Sequence, residues 1–205
     1  MGKKGLQTTA SPMKWEQLQS LTSRMLFDIE NKISNPRRKT QNTKFLLIIA
    51  IGSFCGLGIG DVLGLRWIDV VDIDVLEIAE QKTNKTRSIT INNNLQLLIR
   101  KARMILCPYD LGANIFTNSK DGNVMTIQYV NRKLKTLFAS YNINIEKVSS
   151  HTLRKTFGRR VFEQNYKSDE ALIMLSQIFN HSSTAITRRY IGLQSEKIRD
   201  VYLSL

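Results

Sequence analysis

The stretch from Thr43 to Phe54 constrains this chain most. Within it Phe45, Leu46, Leu47, Ile48, Ile49, Ala50 and Ile51 follow one another without a polar break. A helix made of such residues is apolar on every side, so other elements must cover it. The run is far too short for a bilayer, which takes about 20 apolar residues. With 42% hydrophobic residues the chain can supply a sizeable core, and its 205 residues allow one domain or two small ones. The stretch therefore predicts a central helix with the rest of the chain around it.

The flanking pattern is mostly helical. Trp15, Leu18, Leu21, Met25, Ile29 and Ile33 recur at three- and four-residue steps, an amphipathic helix opened by Ser11-Pro12. Asn35 to Asn42 reads as a basic loop, where Arg37, Arg38 and Lys39 either touch phosphates or line a solvated turn. Val70 to Glu80 and Arg87 to Asn92 carry β-branched residues around a polar turn, Gln81 to Thr86. This predicts a hairpin, part of a small three-stranded sheet. Asn93 to Ile105 is expected as a helix with Leu97, Leu98 and Met104 inward, stopped by Pro108. Thr126 to Ser140 is another, with Val130, Leu134, Leu137 and Phe138 on one side. Ser195 to Leu205 closes the chain as a short amphipathic helix with Ile198, Val201, Tyr202 and Leu205 on one face. The fold class expected is α+β, mainly helical, with a small antiparallel β-sheet.

Charge narrows the partner. The formal net charge is +13 and the isoelectric point about 9.9, which calls for a polyanion. Nucleic acid, a ribosome or a membrane surface all satisfy charge alone. Cys55 and Cys107 lack the CxxC spacing of a zinc site, and two cysteines make no disulfide framework, so a reducing cytoplasm is expected. Residues 1–10 read as a disordered basic tail without the apolar core of a signal peptide.

The chemistry concentrates between His151 and Tyr190. His151 and Arg154 stand three apart and share a face of one helical turn, with Ser150 as its cap and Leu153, Phe157 and Val161 as its apolar stripe. Leu172, Leu175, Ile178 and Phe179 predict a second buried helix that ends at Asn180-His181. Tyr190 follows nine residues later beside Arg188 and Arg189. Two histidines, an arginine and a tyrosine suit a phosphodiester: donors for its oxygens, an acid/base pair and a phenol that attacks phosphorus. Taken singly, each is an ordinary surface or packing residue. Their joint spacing is the specific signal.

That joint pattern resembles the catalytic half of the tyrosine recombinases, the phage integrase family, from about Trp15 to Tyr202. His151-x-x-Arg154 matches the opening motif, Asn180-His181-Ser182 the histidine element, and Tyr190 the nucleophile. The resemblance implies an integrase-type catalytic domain over residues 11–205, without the helical core-binding domain that precedes it in most members. The chain is then either a fragment or a catalytic-domain-only member, as in proteins resembling the fimbrial-switch invertases. It implies a site-specific DNA recombinase that cleaves and rejoins DNA through a 3′-phosphotyrosyl bond, with no metal or cofactor. It also implies double-stranded DNA as partner, a homotetramer on that DNA, no membrane, and a nucleoid location in a bacterial cytoplasm.

Residue by residue, the resemblance assigns Tyr190, Arg154, His151, His181 and Lys82 to catalysis, with Lys85 the alternate to Lys82. Arg37, Arg38, Lys39, Lys85, Lys155, Arg188 and Arg189 are expected against the DNA. Gly56-Leu57, Asp61, Leu63, Leu65 and Trp67 match the family's first box, but its first catalytic arginine falls on Gly58. That departure leaves a second reading, a DNA-binding regulator on a degenerate recombinase domain. The alternate glycines from Gly56 to Gly60 also suggest a nucleotide loop, but the helix-forming run before them takes the place of the strand such a loop needs. If the charge serves phosphate tracking, affinity for duplex DNA should fall steeply between about 50 and 200 mM salt, on the order of 100-fold or more. A flat titration by fluorescence anisotropy would refute this.

Overall fold

The structure, a computed structural model, describes residues 10–79, 86–193, 198 and 201–205. Among them the chain forms helices α1 (Trp15–Asn31), α2 (Pro36–Phe54), α3 (Ile59–Gly64), α4 (Asn93–Leu106), α5 (Ile127–Ser140), α6 (Ser150–Gln164), α7 (Asp169–Phe179) and α8 (Thr184–Tyr190). Strands β1 (Val75–Ala79) and β2 (Thr86–Thr90) pair antiparallel, with Leu76 opposite Ile89 and Ile78 opposite Arg87. The expected mainly helical α+β class holds. The third strand does not form among the described residues: Val70 and Val71 follow the short 3-10 turn Trp67–Asp69 and are buried there.

Helix α2 is the centre. Every residue from Phe45 to Ser53 is buried. Helices α1, α4 and α6 pack around it, and α3 follows its C-terminus. Burying each large side chain of this run stabilises the fold by about 1.5–3 kcal/mol. The helix starts earlier than its apolar run, because Asn35 caps it by accepting from the Arg38 N–H at 3.1 Å and Pro36 occupies the first position. Arg37, Arg38 and Lys39 therefore lie on its first turn rather than in a loop. Arg37 and Arg38 are exposed there.

Other boundaries shift for similar local reasons. The helix expected at Ser11-Pro12 begins at Trp15, because the preceding chain is tied down as an extended segment. Ser11 N–H donates to the Lys147 carbonyl at 3.0 Å, and Met13 N–H to Thr156 Oγ1 at 2.9 Å. Ala10, read from sequence as part of the tail, is buried; residues 1–9 lie outside the described residues. In α4 the inward stripe is Leu95, Leu98, Ile99 and Ala102, while Leu97 and Met104 are exposed. Helical phase decides this: an i, i+3, i+4, i+7 set cannot also include positions 97 and 104.

Two apolar clusters meet at α6. The larger surrounds α2 and includes Leu153. The smaller joins Phe162 of α6 to Ala171, Leu172, Leu175 and Phe179 of α7 and to Ile191 after α8, with Tyr190 packed against it. The α2–α6 contact is close at Gly52, where an added Cβ would stand 3.0 Å from Leu153 Cβ and Cδ1. Leu153 lies next to Arg154, so this contact sets how deeply α6 sits. Gly52→Val should overpack it and cost about 1–3 kcal/mol, read as a lower urea midpoint at unchanged m-value. An unchanged midpoint would show that α6 slides freely.

Candidate active site

The site forms where the N-terminal half of α6, the C-terminus of α7, helix α8 and the turn between α2 and α3 converge. Ser149, not Ser150, caps α6: its Oγ accepts from the His151 N–H at 3.3 Å, and its own N–H donates to Thr152 Oγ1 at 3.2 Å. This reciprocal pair fixes the first turn, which carries His151 exposed at the surface and Arg154 half-buried one turn deeper.

Arg154 binds the scaffold with both ends of its fork. One Nη donates to the Gly56 carbonyl at 2.8 Å, and the other to the Phe179 carbonyl at 3.3 Å. Its guanidinium also lies over the Phe179 ring, 4.7 Å from the centroid. Phe179 is the last residue of α7, so its carbonyl is one that helix geometry leaves without an intrahelical partner. The Gly56 carbonyl is aimed by a left-handed turn with φ of 61°, and a Cβ there would fall 2.4 Å from Phe157 Cδ1. Glycine is required at 56 on both counts.

The α7 helix ends with Asn180 in the left-handed conformation, which turns the chain so that the His181 N–H donates to the Ser176 carbonyl at 2.8 Å. Ser183 then caps α8 by accepting from the Ile186 N–H at 3.3 Å. The His181 Nδ1 lies 3.0 Å from Thr187 Oγ1, whose hydroxyl donates to the Ser183 carbonyl at 3.4 Å. With its proton on that carbonyl, Thr187 accepts from Nδ1–H, which orients the imidazole. Thr187 is a site residue the sequence did not single out; its buried place one turn before Tyr190 is the only sign of it.

Tyr190 sits at the end of α8 among aromatic edges. Its ring meets Phe179 at 5.4 Å, His181 at 5.1 Å and His151 at 6.4 Å between centroids. The phenol oxygen is 3.4 Å from His151 Nδ1. Burial pushes the phenol up to about 12, against the pull of the Arg154 charge. The group is thus held neutral, and it takes a base to make it a nucleophile.

The cations expected at the DNA divide. Arg188 lies at the surface, where it pairs with Asp169 at 2.7 Å, and Arg189 is exposed on the same helix. Lys155 is instead buried: its Nζ donates to the Ala10 carbonyl at 2.6 Å and lies 5.2 Å from the Tyr190 ring centroid. Desolvation lowers its pKa. Of the cations nearest the motif, Arg159 is engaged with Glu163 at 2.9 Å, and Arg66 with Asp69 at 2.9 Å. Lys82 and Lys85 lie outside the described residues. Arg87 of β2, which the sequence reading passed over, reaches the same turn as Arg154: its Nη2 is 3.4 Å from the Cys55 carbonyl. The signal was available in strand alternation, since Arg87 shares a face with Ile89 and Ile91.

Comparisons with known proteins give the family. The model of the phage integrase family matches residues 20–197, so the chain belongs to the phage integrase family. It is 32% identical over 166 residues to the probable integrase/recombinase YoeC of Bacillus subtilis strain 168, covering 80% of this chain and 84% of that protein. It is 24% identical over 188 residues to the tyrosine recombinase XerC of Bradyrhizobium diazoefficiens, of which it spans 56%. In fold it resembles the XerA recombinase, with a TM-score of 0.67 at 17% identity, covering 100% of this chain and 66% of that one. It also resembles XerH bound to its difH substrate after cleavage, with a TM-score of 0.66 at 18% identity, covering 98% and 54%. No helix among the described residues is long and apolar enough to cross a membrane.

A pH prediction follows from Tyr190. The unfolded phenol ionises near 10 and the folded one near 12, so burial contributes stability that is complete below pH 10 and is lost as pH rises toward 12. Tyr190→Phe should flatten the decline of Tm across that window; Tyr141, also raised to about 12, keeps part of it. An identical decline in both proteins would show that Tyr190 is not buried as described.

Proposed function

We propose that this chain cleaves and rejoins double-stranded DNA at specific sites through a 3′-phosphotyrosyl intermediate, with Tyr190 as the nucleophile. The observation that carries the reading is the convergence of Tyr190, His151, His181 and Arg154 at one end of α6, in a member of the phage integrase family. Tyr190 Oη bonds to phosphorus and the bond to the 5′-oxygen breaks. The phenol proton passes to His151, whose Nδ1 stands 3.4 Å away. Arg154 meets the charge that develops on the phosphate, since its planar fork matches two oxygens. His181 donates to the same group from Nε2 as an imidazolium, its Nδ1 being engaged with Thr187. Lys82 protonates the departing 5′-oxygen; this role rests on the resemblance alone. The phosphotyrosyl bond conserves the energy of the broken one, so rejoining needs no ATP.

Arg37, Arg38, Lys39, Lys85, Arg188 and Arg189 supply phosphate contacts in this reading. A tetramer on DNA would place the exposed apolar side chains Ile198, Val201, Tyr202 and Leu205 against neighbouring copies. Residues 194–197, 199 and 200 lie outside the described residues, so the expected terminal helix is described only in part.

A second reading, a DNA-binding regulator, draws on Gly58. Loss of one preorganised donor costs roughly 2.7–4 kcal/mol of transition-state stabilisation, enough to leave binding without cleavage. Duplexes that the protein itself enriches from a random-sequence pool separate the two. With such a duplex, the wild type should give an SDS-resistant protein–DNA adduct, and Tyr190→Phe should abolish it while binding stays near wild type. An adduct that survives Tyr190→Phe would overturn the nucleophile assignment. A wild type that binds tightly but never forms an adduct would establish the regulator.

A further inference from the structure

Position 58 holds no cation, yet its surroundings are built for one. Gly58 has an ordinary φ of −68° and precedes the first turn of α3. An added Cβ would meet only the Asp61 carboxylate within 4 Å, its Oδ2 at 3.0 Å. A side chain is admitted there once the Asp61 carboxylate gives by a few tenths of an ångström. Two residues earlier, the turn presents successive carbonyls to two different guanidinium groups. Arg154 takes the Gly56 carbonyl from α6. Arg87 takes the Cys55 carbonyl from β2. Successive residues stand about 3.8 Å apart at their Cα atoms, so both guanidinium groups converge on one turn from two sides.

The approach of Arg87 is set by its strand. Residues 86, 88 and 90 of β2 are exposed, while Arg87 and Ile89 are half-buried and Ile91 beyond them is buried. Across the pair, Arg87 faces Ile78 and Ile89 faces Leu76, which is buried. A charged residue on the inward face of a hairpin loses part of its hydration, so its guanidinium needs polar partners there. The buried Cys55 thiol registers this charge: Arg87 acts to lower a pKa that burial has raised.

We infer that Arg87 replaces the arginine missing at Gly58, as a second guanidinium that meets the scissile phosphate opposite Arg154. This rests on the phosphotyrosyl reading above. The charge is delivered from the hairpin instead of from the α2–α3 turn, and the turn's carbonyls hold both forks in place before DNA arrives. An arginine, unlike a lysine, can keep one N–H on a backbone carbonyl and offer others to phosphate oxygens, because its five donors sit in a fixed fork.

The test uses the full chain with two readouts: the rate of SDS-resistant adduct on the enriched duplex, and the affinity for inorganic vanadate, an oxyanion with the geometry of a phosphoryl group. Arg87→Ala should slow the adduct by about 10²–10³-fold and weaken vanadate binding, with duplex affinity near wild type. Arg87→Lys should fall between the two. Gly58→Arg added to Arg87→Ala should restore much of the rate, because a cation returns to the same space from the other side. An adduct rate unchanged in Arg87→Ala, while Tyr190→Phe abolishes it, would overturn the inference and leave the phosphotyrosyl reading intact. A loss that Gly58→Arg does not repair would also overturn it, since Arg87 would then only brace the turn. If the wild type forms no adduct, the phosphotyrosyl reading fails, and vanadate decides Arg87 by itself: equal affinity in wild type and Arg87→Ala overturns the inference. Should Arg87→Ala unfold, Arg87→Gln keeps an N–H donor for the Cys55 carbonyl and is read in its place.

Discussion

Burial of α2 on every side from Phe45 to Ser53 is the constraint on which the rest depends. A helix with no polar side can be covered only by helices that bring their own apolar stripes, and α1, α4 and α6 each do so. Helix α6 meets α2 at Gly52, where the absent Cβ admits Leu153. The next residue is Arg154. The depth of the central helix and the reach of the Arg154 fork are therefore one geometric fact, separated by a single peptide.

Backbone carbonyls do most of the positioning around that fork. Arg154 is held by Gly56 and Phe179, and Arg87 by Cys55. Carbonyls at a helix end or in a left-handed turn lack internal partners and cannot rotate away once the turn is packed. They pre-set two cations that would otherwise repel. The same elements leave Tyr190 neutral and half-buried. The arrangement thus fixes two positive charges at one turn and keeps the phenol beside Arg154 neutral.

Much of this was legible in the sequence, because it is written in local spacing. The apolar run gave the central helix, and three-residue and nine-residue spacings brought His151, Arg154, His181 and Tyr190 together. Boundaries were less legible. Asn35-Pro36 starts α2 about two and a half turns before the apolar run, and Ser11-Pro12 starts nothing, since tertiary hydrogen bonds to Lys147 and Thr156 hold that segment extended. Leu97 and Met104 were read inward from their apolar type, although helical phase points them out. The cations were the hardest: Lys155 is buried and Arg87 faces inward, yet both look like solvent-facing residues by type. Only strand register for Arg87, and a carbonyl 145 residues away in sequence for Lys155, settle where they go.

That last contact has a mechanical consequence. The Ala10 carbonyl, the Lys155 ammonium and the Tyr190 ring form a chain of two short links, 2.6 Å and 5.2 Å. Pulling Ala10 away would strip a hydrogen-bond acceptor from a buried ammonium, which is costly; the lysine must follow or the segment must stay. The backbone at Ala10 therefore works as a tether on the Tyr190 ring. A displacement of Ala10 is thus felt at the phenol through one buried side chain, Lys155.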